Sequence, residues 1–270
     1  MEALKYWKKD LDPKKLAGEL SWNFPEQKAG EVVIVGGNSQ NFATEVKLAE
    51  FLALKFPFLS EIRNFFPESL KKNLPSLPNF SFFPATENGS FRKSCELRNA
   101  LKIELKDPAC AIFVGDFSKN SETEIAVSEL IENSPEVPTV IARDGVDLVA
   151  NEAEKFLLRE NVTVVASMAQ LQKIFRAVYY PKMLLLSQPI FPIVETLHKF
   201  TLSYPVSILT FHEGKILCAR NGNVNSVEIE KTAYSPISLW SGEVAARGAV
   251  FQMFNPGREL EALVAGINKD

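Results

Sequence analysis

The length, composition and charge of this chain exclude several classes of protein. Its 270 residues are 46% apolar and 23% charged, and the net charge is −3, which is unlike a disordered chain or a nucleic-acid-binding protein. No apolar run reaches the length of a membrane span, and the charged opening differs from a secretory signal. The widely spaced Cys95, Cys110 and Cys218 fit neither a disulfide framework nor a zinc site. We therefore expect a cytoplasmic protein with reduced thiols that binds neither membranes nor nucleic acid.

After a polar lead-in at residues 1–30, the hydrophobic pattern predicts alternating strands and helices. Residues 32–35 are apolar at every position and end at Gly36 and Gly37, which is typical of a strand buried on both faces of a parallel sheet. A helix is expected over residues 45–55. Further strands are expected at residues 62–66, 80–83, 111–114, 139–142 and 162–165.

Helices between the later strands are indicated by caps and apolar stripes. Ser90 is expected to cap a helix that includes Leu97 and Leu101, and residues 121–124 have the pattern of a capping box. A further helix is expected around Leu171, Ile174 and Phe175.

The last third of the sequence predicts a hairpin and two final helices. The hairpin strands are expected at residues 207–211 and 215–219, with another strand at 226–230, and the helices at 242–254 and 259–267. No Pro-, Gly- or Ser-rich linker divides the chain, so we expect one domain over residues 1–270. Strand–helix alternation predicts an α/β fold with a mostly parallel sheet covered on both faces.

Several turns carry recognisable motifs at matching places in this order of elements. Gly36, Gly37, Asn38 and Ser39 follow the first buried strand, and Val114-Gly115-Asp116 ends the second. Asp144 opens an Asp-Gly-Val-Asp stretch, and a late helix is preceded by Ser241-Gly242-Glu243.

Together these turns resemble the ribokinase-like fold, and within it the ADP/ATP-dependent NAD(P)H-hydrate dehydratases. The resemblance covers residues 28–267 and implies a three-layer α/β/α fold with a hairpin in the C-terminal half. It also implies ADP or ATP as cofactor, an NAD(P)H-derived ligand and a homo-oligomer. The 20 phenylalanines agree with an apolar subunit interface.

The chain departs from this family where the phosphates of a nucleotide would bind. Leu239 and Trp240 replace two glycines of the late turn, and their Cβ atoms restrict the close approach of a phosphate to the backbone. Glu243 replaces the family's catalytic aspartate, and Thr210 stands where a lysine is expected. The family's histidine and glutamate are missing from residues 165–170. We therefore expect absent or weak dehydratase activity; the alternatives are an active dehydratase or small-molecule kinase, and a non-catalytic oligomeric scaffold.

The late turn and the first turn each have a structural interpretation beside the functional one. Glu243 is either the catalytic base or a favourable acid in the first turn of a helix that Ser241 caps, with Gly242 in the nucleotide turn. The four residues after the first strand form either the floor of a substrate site or a βα turn that needs glycine. These four are Gly36, Gly37, Asn38 and Ser39.

The candidate site residues in the middle of the sequence also have two interpretations each. Gly115, Asp116, Asn120 and Ser121 form either a loop that faces a ligand or a turn followed by a helix cap. Asp144 either orients a ribose or substrate hydroxyl or is an acid at the surface end of a strand. If the sheet is parallel, its carboxyl ends bring these positions to one edge.

Overall fold

A computed structural model of the chain describes residues 5–105, 108–229 and 241–268. Its strands are β1 (Trp7–Lys8), β2 (Glu31–Gly36), β3 (Glu61–Pro67), β4 (Phe80–Phe83), β5 (Ala109–Gly115), β6 (Thr139–Ala142), β7 (Val162–Val165), β8 (Ser207–His212), β9 (Lys215–Arg220) and β10 (Asn223–Glu228). The α-helices described are α1 (Pro13–Ser21), α2 (Ala43–Lys55), α3 (Cys95–Glu104), α4 (Ser121–Glu132), α5 (Asp144–Val149), α6 (Glu154–Leu157), α7 (Met168–Ala177), α8 (Ile190–Ser203), α9 (Glu243–Phe254) and α10 (Glu259–Ala265). None of these helices is long and apolar enough to cross a membrane.

All ten strands belong to one sheet. Their order is β1-β10-β9-β8-β7-β6-β5-β2-β3-β4. Every pair from β8 through β4 in this order is parallel, whereas β8, β9 and β10 pair in antiparallel fashion. The predicted α/β class, the mostly parallel sheet and the C-terminal-half hairpin are therefore confirmed.

Apolar clusters pack on both faces of the sheet, because the buried strands have no polar face. Successive side chains of a strand point to opposite faces. In β2, Val33 and Val35 accordingly join one cluster, and Val32 and Ile34 join the other. The first cluster contains residues of α3 to α8, and the second contains residues of α1, α2, α9 and α10. The result is the expected three-layer arrangement.

The chain order reverses between β2 and its neighbour β5. The chain runs outward from β2 through β3 to β4 on one side, and from β5 through β6 and β7 to β8 on the other. The connections that leave β2 and β5 therefore diverge, and a crevice forms at the carboxyl edge of the sheet. In open α/β sheets such a switch point is where ligands bind.

The lead-in adds to the fold more than its polarity indicates. β1 pairs in parallel with β10, and the indole nitrogen of Trp7 donates a hydrogen bond to Ser226 Oγ at 3.1 Å. Ala17 and Leu20 of α1 are buried in the same cluster as Leu263. Residues 5–30 thus extend the sheet edge and cover one of its faces.

Two predicted caps are wrong. Ser94, not Ser90, is the N-cap of α3, because its side chain accepts from Leu97 N at 3.0 Å. Ser90 is fully buried and its hydroxyl accepts from Ser118 N. Asn120, rather than Ser121, caps α4 by accepting from Thr123 N at 2.8 Å. The last strand also lies slightly earlier than residues 226–230, at Asn223–Glu228.

Candidate functional site

The turns after β2 and β5 meet at the switch point. Gly37 N donates to Gly115 O at 3.0 Å, and Asn38 Nδ2 donates to Asp116 O. Gly37, Gly115 and Asp116 all have positive φ, at 90°, 129° and 54°. Positive φ is strained for a residue with a side chain such as Asp116, and it is concentrated at functional sites. Four predicted site residues thus form one structural unit.

Arg143 joins this unit to the end of β6. Its φ is +50°, so it is a second strained residue at the same edge. Its guanidinium donates to Thr44 Oγ1 at 2.8 Å and forms an ion pair with Asp116 Oδ1 at 3.5 Å. The next residue, Asp144, begins α5, and a Cβ added at Gly115 would lie 3.2 Å from its Cβ. The predicted Asp144 is therefore beside Gly115.

A buried carboxyl group that is not among the predicted site residues lies behind this edge. Glu45 is fully buried, and the position of a Cβ on Gly36 would be 2.2 Å from its Oε1. Within the described part of the chain, neither carboxylate oxygen of Glu45 has a hydrogen-bond partner, and neither does Asp116 Oδ2. Glu45 occupies the space that the missing side chain of Gly36 leaves.

This environment makes Glu45 a weak acid. Burial and, secondly, the nearby charge of Asp116 raise the pKa of Glu45 from its ordinary value to about 8. The backbone amides of Glu45 and Gly37 and the charge of Arg143 lower the pKa by less, and neither amide completes a hydrogen bond to the Glu45 carboxylate. At neutral pH Glu45 is therefore mostly protonated, next to the ionic pair of Asp116 and Arg143.

Beyond Arg143, a cavity of about 580 Å³ opens at the ends of β6 and β7. It lies beside the first turn of α7 and the residues that precede α9. Most of the residues that line it are polar or charged, and the full set is Arg143, Asp144, Asp147, Ser167, Ala169, Gln170, Lys173 and Ser241. Two of the predicted site residues, Asp144 and Ser241, therefore share one cavity although 97 positions separate them in sequence.

Hydrogen bonds order the polar wall of this cavity. Ser167 and Gln170 form a capping box at the start of α7, in which Gln170 N donates to Ser167 Oγ at 3.2 Å. Gln170 Nε2 also donates to Arg143 O at 2.8 Å and to Asp147 Oδ2 at 2.7 Å. Lys173 forms an ion pair with Asp147. The side chains at this wall are held in place before any ligand binds.

The late turn places Gly242 against the switch point and Glu243 outside it. Gly242 is the N-cap of α9 with φ of +96°, and an added Cβ would lie 2.7 Å from Val114 Cγ2. Ser241 Oγ accepts from Glu243 N at 3.4 Å, but the residue in the cap position is Gly242. Glu243 is exposed and does not line the cavity. Leu239 and Trp240 lie outside the described residues.

Three other predicted residues do not line the cavity. Asn120 and Ser121 start α4, where Asn120 is the cap. Ser39 is exposed and its amide donates to Gly89 O at 2.9 Å. These three residues have structural roles in the described chain, and a role in ligand binding stays a prediction for them.

Spacing in the sequence could have indicated the buried acid. Glu45, Leu48 and Leu52 are three and then four positions apart, so they share one face of α2, and all three are buried. An acid on an apolar stripe is a specific sign of a buried carboxyl group. Arg143 directly follows the buried strand β6, which is the position where a parallel sheet presents ligand-binding side chains.

Solved structures with low sequence identity share this architecture. A ribokinase-like superfamily protein from Enterococcus faecalis is 13% identical, with a TM-score of 0.65 over 98% of this chain and 86% of that one. A hypothetical protein from Streptococcus mutans is 10% identical, with a TM-score of 0.65 over 96% and 87%. An ADP/ATP-dependent NAD(P)H-hydrate dehydratase from Bacillus subtilis, co-crystallised with ATP and Mg²⁺, is 11% identical, with a TM-score of 0.55 over 93% and 84%.

This likeness establishes the ribokinase-like fold of the chain. No protein-family model matches the sequence, and no curated protein matches it. The fold that the sequence motifs resemble is therefore confirmed, whereas the ligand and the activity must be argued from the site.

Proposed function

We propose that this protein binds ADP or ATP in the cavity at the carboxyl edge of the sheet and has absent or weak NAD(P)H-hydrate dehydratase activity. The observation that carries the proposal is a preorganised cavity of about 580 Å³ at the ends of β6 and β7, with Arg143 and Lys173 in its wall. Its volume falls in the range of roughly 300–1,000 Å³ that small-molecule sites occupy. The proposed ligand class agrees with the Bacillus subtilis dehydratase of the same fold, which was co-crystallised with ATP.

The charges and dipoles around the cavity suit phosphate. The planar guanidinium of Arg143 offers paired donors, and Lys173 adds a second cation. The N-termini of α7 and α9, which have ten and twelve residues, carry partial positive charge. Asp147 opposes an anion, but Lys173 and Gln170 already bind its carboxylate. We therefore place the phosphates against Arg143 and Lys173.

Two other residues, Glu243 and Thr210, argue for weak catalysis. Glu243 is exposed, and it is one methylene longer than the aspartate of the family that the chain resembles. Thr210, in the position of the expected lysine, is fully buried, and its hydroxyl has no partner in the described chain. Losing one well-placed charge-stabilising donor costs about two to three decades in rate. Rate losses within one site need not add. We therefore expect a large defect in turnover, but we do not add the individual losses.

Thermal melting with and without ADP, ATP and NADPH tests nucleotide binding. A ligand at about 100 times its Kd adds close to 3 kcal/mol to the free energy of unfolding. Lys173→Ala should reduce this gain by about 1 kcal/mol, or roughly fivefold in affinity, because it removes a cation and leaves the negative charge of Asp147 without its ion pair. Lys199→Ala is the matched control, because Lys199 is also helical, similarly exposed and paired with a glutamate.

Conversion of hydrated NADPH to NADPH, with ADP or ATP present, tests the catalytic part. We expect little or no turnover, and no difference between the natural chain and Glu243→Ala. Robust turnover that disappears in Glu243→Ala would instead make this protein an active dehydratase with Glu243 as its base. If the protein shows no turnover and nucleotides do not stabilise it, the oligomeric scaffold becomes the favoured alternative.

Our proposal also includes a cytoplasmic location and a homo-oligomer. Light scattering at micromolar concentration tests the oligomer, for which we expect a mass above that of one 30.1 kDa chain.

A further inference from the structure

The segment between α7 and α8 exposes an unusual number of large apolar side chains. The exposed fractions are 90% for Tyr179, 57% for Met183, 46% for Leu185 and 77% for Leu186. Single exposed apolar residues are ordinary on protein surfaces, but a contiguous group of them marks a binding surface. The four residues lie within eight positions of the chain.

The backbone of this segment is tethered, so these side chains are held outward. The ring of Tyr180 packs against Phe175 and Phe200, with centroids 4.9 and 5.0 Å away. Leu184 is buried, and its amide donates to Gln172 Oε1 at 2.6 Å. Leu185 N donates to Gln188 Oε1 at 3.0 Å. Anchored residues thus alternate with the exposed ones.

Three of these exposed residues, Met183, Leu185 and Leu186, border a cavity of about 590 Å³. Met168 and Leu184 form its buried floor, and Met183, Leu185 and Leu186 line its walls. Methionine and leucine side chains adapt to aliphatic groups, since methionine in particular is flexible and polarisable. The floor and walls therefore provide a groove for an apolar chain.

Two cations stand at the edge of the groove. Lys173 and Arg176 are both exposed and both line it. Lys173 is paired with Asp147, whereas Arg176 makes no ion pair within the described chain. Ala169 and Lys173 also line the polar cavity, so the two cavities adjoin along α7. The groove therefore combines apolar walls with uncompensated positive charge at one end.

From this combination we propose that the groove binds an anionic amphiphile, namely an aliphatic chain that ends in a carboxylate or a phosphate. The chain lies on Met168 and Leu184, and the anionic head pairs with Arg176. A neutral apolar ligand would leave the arginine without a role, and a purely anionic ligand would leave the leucines exposed. This site goes beyond the nucleotide proposal, because it requires no nucleotide in the adjoining cavity.

Calorimetric titration of the full chain, without nucleotide and below the micelle concentration, tests the proposal. The probes are decanoate, decyl phosphate, octanoate and 1-decanol. Decanoate should bind up to about tenfold more tightly than octanoate, because two more methylenes leave water. It should bind at least about fivefold more tightly than 1-decanol, because only the anion pairs with Arg176. Comparing decanoate with decyl phosphate decides which head group the site prefers.

Variants on the exposed surface locate the site without disturbing the core. Arg176→Gln should weaken decanoate at least about fivefold and leave 1-decanol unchanged, whereas Met183→Ser should weaken both. Lys199→Gln and Leu202→Ser are the controls, because these residues are exposed on α8, away from the groove. Stabilisation by ADP, measured on the same variants, should persist in Arg176→Gln. Failure of the groove proposal can therefore be distinguished from failure of the nucleotide proposal.

Three outcomes would overturn the proposal: no binding of any probe, equal affinity in all variants, or equal affinity for decanoate and 1-decanol. Light scattering tests the competing occupant of the groove, which is a second copy of this chain. If Leu186→Ser dissociates an oligomer and no probe binds, the exposed residues form a contact between copies of this chain instead.

Discussion

Gly36 and Glu45 depend on each other at the centre of the candidate site. An added Cβ at Gly36 would lie 2.2 Å from Glu45 Oε1 and 2.5 Å from Gly115 O. Only a residue without a side chain leaves room for the buried carboxyl group at this point. The glycine is therefore required by a contact with the acid, in addition to any need of a βα turn.

The first prediction concerns the pH dependence of stability. The pKa of Glu45 is about 8 in the folded chain and near 4.5 when exposed, a difference on the order of 5 kcal/mol. Between these pH values the folded chain keeps a proton that the unfolded chain releases. The contribution of Glu45 to stability is therefore full below pH 4.5, falls as pH rises and levels off above pH 8.

Urea unfolding at several pH values checks this prediction with Glu45→Gln. The variant should lose much less stability than the natural chain between pH 5 and pH 8, because glutamine has no charge to bury. Glu50→Gln is the control, because Glu50 is exposed on the same helix. Parallel pH profiles for Glu45→Gln and the natural chain would contradict a raised pKa.

The second prediction compares two glycines. Gly36→Ala should cost about 3 kcal/mol, because its Cβ would collide with the Gly115 carbonyl and displace Glu45. Gly18→Ala, in α1, should instead stabilise the chain by about 0.5–1 kcal/mol, because nothing lies within 4 Å of the added Cβ and alanine favours helix. Chemical denaturation measures both, and equal effects would rule out the contact with Glu45.

At the scale of elements, the sequence predicts buried strands better than helix starts. β2 and β5 are apolar at almost every position, and only a strand inside a covered parallel sheet buries such a run on both faces. The start of a helix depends on which of several nearby polar side chains reaches a backbone amide. Ser90 is the predicted cap of α3, but packing buries its side chain elsewhere, and Ser94 is the residue that caps the helix.

The candidate site could be predicted in part for the same reason. Gly36, Gly115 and Asp144 follow buried strands, so topology alone brings them to one edge. The pairing of Arg143 with Asp116, and the burial of Glu45, depend on side chains from three separate elements. Propensity and periodicity within one element contain no information about such contacts.

The third prediction tests which residue caps α4. Asn120→Ala should cost about 1 kcal/mol, because Thr123 N loses its acceptor. Ser121→Ala should change stability by less than about 0.5 kcal/mol, because Ser121 is exposed in the first helical position. Thermal melting of both variants distinguishes them. The reverse order would restore Ser121 as the cap, and loss of stabilisation by ADP in Asn120→Ala would indicate a ligand contact.

At the scale of the whole molecule, the phenylalanines mainly build the core. Phe65, Phe66, Phe91, Phe113, Phe156, Phe175 and Phe200 are fully buried. Another group from the lead-in, the turn after α2 and α9 packs ring against ring, with Phe24 and Phe251 centroids 5.0 Å apart. The abundance of phenylalanine is therefore explained within one chain, and the predicted homo-oligomer rests on the family resemblance alone.

The final prediction concerns the expected single domain. The two apolar clusters share the strands of one sheet, so neither can lose its packing while the sheet remains intact for the other. Phe175→Ala in the first cluster and Leu263→Ala in the second remove fully buried side chains, at a cost of about 3–5 and 2–5 kcal/mol. Each variant should lower the midpoint of one common unfolding transition, followed by both circular dichroism and tryptophan fluorescence. Two transitions, of which each variant shifts only one, would show that the faces unfold separately and that residues 1–270 contain more than one cooperative unit.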